Sequence, residues 1–146
     1  MTDTATSTRI NQVGAVFVPV TDQERALAFY VDMLGFEKRA DFVYGGGMRW
    51  IEVAPRGAAN TIALVPPGEG ASPRGDAAHC AFATDDIEGD HAALRAGGVD
   101  VDAEIARTGK SRPGLVGLDA TVPDPVPAQF FFRDSEGNRF LIVQPG

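Results

Sequence analysis

Short apolar runs and single helical stripes succeed one another along this chain. Val16–Val20 reads as a strand, and behind it Leu27, Tyr30, Val31 and Leu34 fall on one helical face. Thr21 and Glu24 stand at the spacing of a capping box that opens this helix. Three more strands are predicted at Lys38–Val43, Met48–Ala54 and Thr61–Val65. Tyr44–Gly47 separates the first two of these as a glycine-rich hairpin turn.

The same order returns downstream. His79-Cys-Ala-Phe-Ala-Thr-Asp-Asp86 answers Ala15-Val-Phe-Val-Pro-Val-Thr-Asp22, and a helical pattern again follows. Gly97-Gly98-Val99 then answers Leu34-Gly35-Phe36. Thr84 and Asp85 compete as N-cap of the second helix, while Gly97 suits the left-handed position beyond its end. Trp50-Ile-Glu-Val-Ala-Pro-Arg-Gly57 aligns with Phe130-Phe-Phe-Arg-Asp-Ser-Glu-Gly137, the latter running into a turn at Asp134–Asn138. Asn60–Pro66 aligns with Asn138–Gln144. The repeat implies two strand–helix–strand–strand–strand modules, residues 10–66 and 77–145, joined by a linker at 67–76 within one domain, 1–146. The expected architecture is α+β: two βαβββ modules forming a curved, mixed eight-stranded sheet with helices on one face.

Composition narrows the partners. With 146 residues, 44% of them apolar, the chain can bury a core of its own. A net charge of −7 disfavours nucleic acid and anionic membrane, both of which reward basic faces. The single cysteine, Cys80, cannot form an internal disulfide and fits a reducing compartment. Met1–Gln12 shows neither a charged n-region nor an apolar h-region, and no apolar run approaches membrane-spanning length. A cytoplasmic protein is expected, with residues 1–8 as a frayed tail.

The repeated modules carry Asp22…Ala28-Phe29-Tyr30…Leu34-Gly35-Phe36 in the first and Phe132-Arg133-Asp134-Ser135-Glu136-Gly137-Asn138 in the second. In this order and spacing, over roughly residues 10–145, they resemble the glyoxalase/bleomycin-resistance/dioxygenase group of the vicinal oxygen chelate superfamily. The resemblance implies sheets that curl around a cleft and, in metal-dependent members, a ligand from the first and fourth strand of each module. Those positions here are Ala15, Ala63, His79 and Leu141. Only His79 carries a donor, whereas a divalent catalytic site takes about three protein ligands. No metal and no cofactor is therefore expected.

Strand alternation assigns the cleft, since residues two apart share a face. With Ala15 turned inward, Phe17 and Pro19 follow it, and Val16, Val18 and Val20 lie beneath the helices. His79, Ala81 and Ala83 face the cleft in the second module, leaving Cys80 and Phe82 in the core, Cys80 as apolar filler. Trp50 and Glu52 are placed inside because Ile51 and Val53 suit the helix-covered layer, and the repeat then sets Phe130 and Phe132 on the opposing wall. Thr61, Ala63 and Val65 face inward on one fourth strand, and Arg139, Leu141 and Val143 on the other. The ligand-binding set is thus Phe17, Trp50, Thr61, Phe130, Phe132, Arg139 and Leu141, although the aromatics could equally be core.

Glu52 and His79 are the candidate catalytic groups. A carboxylate among aromatics can serve as general acid or base, and Glu52 can instead pair with Arg49 or Arg139. His79 occupies a family ligand position but also fits a hydrogen-bonded structural role. His91, mid-helix beside Asp90, reads as solvated. The long Pro- and Gly-bearing stretch 108–127, with Leu115, Val116 and Leu118, is either a lid over a ligand or subunit, or a loop packed on its own module. Two functions follow: a metal-free binder of a hydrophobic or aromatic small molecule, or a lyase, isomerase or dioxygenase using Glu52 and His79 or an atypical metal site. In family members of this length, two chains often pair so that the first module of one faces the second of the other. A homodimer with composite clefts is the expected assembly.

Overall fold

A computed structural model describes residues 8–67, 78–107 and 127–145. The linker and the 108–127 stretch singled out above lie almost wholly outside the described residues. The elements run β1 (Ala15–Pro19), α1 (Gln23–Ala28), β2 (Glu37–Tyr44), β3 (Met48–Ala54), β4 (Thr61–Val65), β5 (Ala78–Ala83), α2 (Ile87–Ala96), β6 (Asp100–Val101), β7 (Ala128–Arg133) and β8 (Arg139–Gln144). Eight strands are shared between two four-stranded mixed sheets, ordered β1-β4-β3-β2 and β5-β8-β7-β6. In each, the outer pair β1–β4 or β5–β8 is parallel and the other pairs are antiparallel. This is the α+β arrangement that the repeat predicts.

One face of each sheet builds the core. Val18, Ile51, Val53, Ile62 and Leu64 from the first sheet meet Ala26 and Tyr30, and Phe130, Phe132, Phe140 and Ile142 from the second meet Ile87 and Leu94. Phe36 of the first half stacks edge-on against Phe82 of the second, with ring centroids 5.4 Å apart. Tyr30 likewise meets Phe140, so the two layers share one core.

The helix ends differ from the predicted caps by a residue each. Asp22, not Thr21, caps α1 and accepts from Arg25 N, while Thr21 donates its hydroxyl to Glu136. Asp86, rather than Thr84 or Asp85, caps α2 by accepting from Gly89 N. At the far end Gly97 is still right-handed, and Gly98 takes the left-handed conformation at φ +81°. In each case the chain runs one residue further before turning. Beyond Ala28 the first helix widens into a π-type turn over Phe29–Met33.

The turn Asp134–Asn138 ties the two sheets together. Asp134, nearly buried, accepts from Glu136 N, Asn138 N and Asn138 Nδ2, and from the Tyr30 hydroxyl at 2.7 Å. Asn138 also donates Nδ2 to Pro19 O. Glu136 accepts from Thr21 Oγ1 and Asp22 N at the start of α1, and Arg25 donates to Ser135 O. Burial pushes the Glu136 carboxyl up, but these donors and the nearby Arg25 outweigh it and hold the group below its ordinary range. Burial first, then the Asp134 carboxylate, pushes the Tyr30 hydroxyl well above its ordinary value, so it stays a donor.

Candidate functional site

On β3 the alternation works as the sequence implies. Ile51 and Val53 are fully buried, so Trp50 and Glu52 point to the opposite face of the sheet. Register extends that face across four strands. Ala40 lies opposite Glu52, Phe42 opposite Trp50 and Tyr44 opposite Met48, while Glu52 lies opposite Ala63 and Ala63 opposite Phe17. Phe17 and Trp50 meet edge-to-face at 5.7 Å, and Tyr44 approaches Trp50 at 6.2 Å. Phe17 is 62% exposed, Phe42 53%, Tyr44 41% and Met48 41%. An apolar patch of contiguous large rings at such exposure marks a surface that binds something. Phe42, Tyr44 and Met48 were not among the predicted residues, although Ala40-Asp-Phe-Val-Tyr44 already carries the period-two signal.

The polar chemistry of this face is concentrated at Glu52. Its Oε2 accepts from Trp50 Nε1 at 2.6 Å, and its Oε1 accepts from Thr61 Oγ1 at 2.8 Å. Neither suggested arginine pairs with it. Arg49 lies on the other face, bound to Asp41 at 2.8 Å and to Glu24, and its hydrogen bonds hold the Asp41 carboxyl down to about 2. Arg139 instead lays its guanidinium over the Phe131 ring, 4.8 Å from the centroid.

The second sheet departs from expectation. Phe130 and Phe132, predicted on the cleft wall, are fully buried in the core, and Phe131 takes the opposite face, aligned with Leu141. The hairpin between β3 and β4 is one residue longer than that between β7 and β8: Val53 pairs with Ile62, and Phe132 with Phe140. Matching Gly57 to Gly137 therefore shifts the repeat by one, and a one-residue slip exchanges the faces. The structural counterpart of Glu52 is Phe131, and that of Trp50 is Gln129.

His79 is corrected as well. The β5–β8 register shifts between Ala78 and Ala81, a bulge that leaves two residues opposite one. The imidazole lies beside Phe140, centroids 5.7 Å apart, and bonds through Nε2 to Asn138 Oδ1 at 3.0 Å. Its hydrogen bond goes to Asn138, whereas those of Glu52 go to Trp50 and Thr61, so no hydrogen bond or common partner links the two candidate catalytic groups. Cys80 packs against the core, where burial pushes its thiol up to about 11. His91 is not solvated: it is half-buried, bonds Asp102 O at 2.8 Å and meets the Phe130 ring at 4.9 Å.

A family-type metal does not fit these residues. Ala15, Ala63 and Leu141 offer no donor atoms, and His79 Nε2 is engaged by Asn138. Among the described residues no three His, Cys, Asp or Glu side chains cluster as ligands. A cavity of about 150 Å³, partly open to solvent, lies between Met33, Phe36, Phe82, Leu94, Phe132 and Ile142. It is smaller than the few hundred Å³ and upward of a drug-sized site.

Comparisons with known proteins agree with this geometry. Residues 9–142 match the family model described as Glyoxalase/Bleomycin resistance protein/Dioxygenase superfamily. The chain is similar to TnmS3, an antibiotic binding protein from Streptomyces sp. CB03234, at 34% identity and a TM-score of 0.73 over 95% of this chain and 99% of that one. It is similar to a superfamily member from Sphaerobacter thermophilus at 30% identity and a TM-score of 0.76, over 94% and 100%. It is also 29% identical to the uncharacterized protein YetH of Bacillus subtilis, over 92% of this chain and 99% of that one.

Proposed function

Because the chain belongs to the glyoxalase/bleomycin resistance protein/dioxygenase superfamily, we propose that it is a non-enzymatic binder of aromatic small molecules, acting without a metal. The observation that carries this reading is the surface of exposed Phe17, Phe42 and Tyr44 rings around the half-buried Trp50. Apolar walls with few polar groups are the general form of a small-molecule site. The missing ligands at Ala15, Ala63 and Leu141, and the engagement of Glu52 by Trp50 and Thr61 and of His79 by Asn138, argue against metal-assisted or acid–base chemistry. The similarity to an antibiotic binding protein points the same way. The binder works as a cytoplasmic homodimer, the exposed face of the first sheet meeting the Phe131 and Leu141 face of a second copy. Among the described residues no helix is long and apolar enough to cross a membrane.

The test uses acridine, a neutral three-ring probe at mildly alkaline pH. Trp50, the single tryptophan, reports directly. Acridine quenches its emission saturably, the response survives dialysis against EDTA, and Phe17→Ala weakens binding about fivefold, as loss of an aromatic contact near 1 kcal/mol implies. Loss of binding after EDTA treatment refutes the metal-free reading. Absence of saturable quenching refutes the site.

A further inference from the structure

We infer that Glu52 is an anionic anchor and that the ligand is an aromatic molecule bearing a protonated nitrogen. The inference rests on the binding reading above and specifies its ligand. Glu52 is half-buried on the face that also carries Phe17, Ala40, Phe42, Tyr44, Met48, Trp50, Thr61 and Ala63. A carboxylate in such surroundings is normally paired with a cation. None of the ion pairs among the described residues involves it, and its two hydrogen bonds, from Trp50 and Thr61, are single donors to separate oxygens. Each oxygen therefore keeps a free lone pair.

Those two donors also hold the side chain in one orientation beside the Trp50 indole. A cation bound there gains twice. It forms a charge-assisted hydrogen bond to the carboxylate, and its rings pack against the neighbouring Trp50 and Phe17. The net charge of −7 adds a long-range attraction for cations and repels anionic aromatics. A neutral ring gains only the stacking.

The experiment compares acridine with 9-aminoacridine, which has the same three rings but is protonated at mildly alkaline pH. Calorimetric titration of the intact protein gives tighter binding of 9-aminoacridine by on the order of tenfold, the range of a hydrogen bond to a charged group. That advantage shrinks in high salt. In Glu52→Gln, which keeps the shape but only one of the two acceptor oxygens, the preference for 9-aminoacridine over acridine is lost. A preference that survives in Glu52→Gln, or no preference in the wild type, overturns the anchor while leaving the aromatic site intact. Failure of both probes to bind overturns the site and the anchor together. A variant that loses the dimer instead identifies Glu52 as a subunit contact, with the second copy's Arg139 as its cation, and also overturns the proposal. Should Glu52→Gln fail to fold, 10-methylacridinium decides in the wild type: it carries the charge without an N–H donor, and binding as tight as that of 9-aminoacridine overturns the anchor.

Discussion

Tyr30 is fully buried, and its hydroxyl reaches Asp134 Oδ2 across the junction of the two halves. Asp134 receives four hydrogen bonds and joins no ion pair among the described residues, so those bonds are what hold its carboxylate. Removing one of them from a buried carboxylate leaves a desolvated acceptor unpaired, which costs more than an average hydrogen bond. Tyr30→Phe keeps the ring contacts with Phe36 and Phe140 and removes only the donor. It lowers stability by about 1.5–3 kcal/mol, seen as a reduced urea midpoint with unchanged slope. An unchanged midpoint would show that the Asp134 turn is held by its local bonds and not by Tyr30.

At the scale of elements, a hairpin length and a bulge set which side chains reach the exposed faces. The extra residue between β3 and β4 sends Glu52 outward where β7 sends Phe131. The bulge in β5 turns His79 onto Phe140 and Asn138. Its role is therefore to support the Asp134–Asn138 turn. His79→Ala lowers stability by about 1–2 kcal/mol, through one hydrogen bond and one ring contact. Acridine affinity in this variant stays at the wild-type value. A large loss of affinity with unchanged stability would return His79 to the binding site.

For the whole molecule the unresolved term is the exposed face of the first sheet. Leaving Phe17, Phe42, Tyr44 and Met48 in water costs about 25 cal/mol per Å² of apolar area. Isologous pairing is the commonest way for a chain to cover such a surface. Light scattering at micromolar concentration accordingly gives twice the 15.4 kDa chain mass. Replacing Phe42, at the edge of the patch, by Lys shifts the population toward monomer. A monomer mass for the wild type rejects the dimer, and a dimer insensitive to Phe42→Lys moves its interface elsewhere.

The order of elements, the α+β class and the faces of β1 and β3 were legible in the residues themselves. Val18, Val20, Ile51 and Val53 are buried where alternation puts them, because that pattern is local to a single strand. The family motifs were legible for the same reason, though not the work they do in joining Tyr30, Asp134 and Asn138. Gln129 and Arg133 flank Phe130-Phe-Phe132 on the face of Phe131, a period-two signal that the alignment of the repeats overrode. Pairing with β8 sets Phe130 and Phe132 inward beside Ile142 and Phe140, and Phe131 opposite Leu141. His79 likewise depends on a bulge that exists only between β5 and β8. A strand's pattern is written in its own residues, but its register is a property of two strands and the loop that joins them, and it is register that chose the faces.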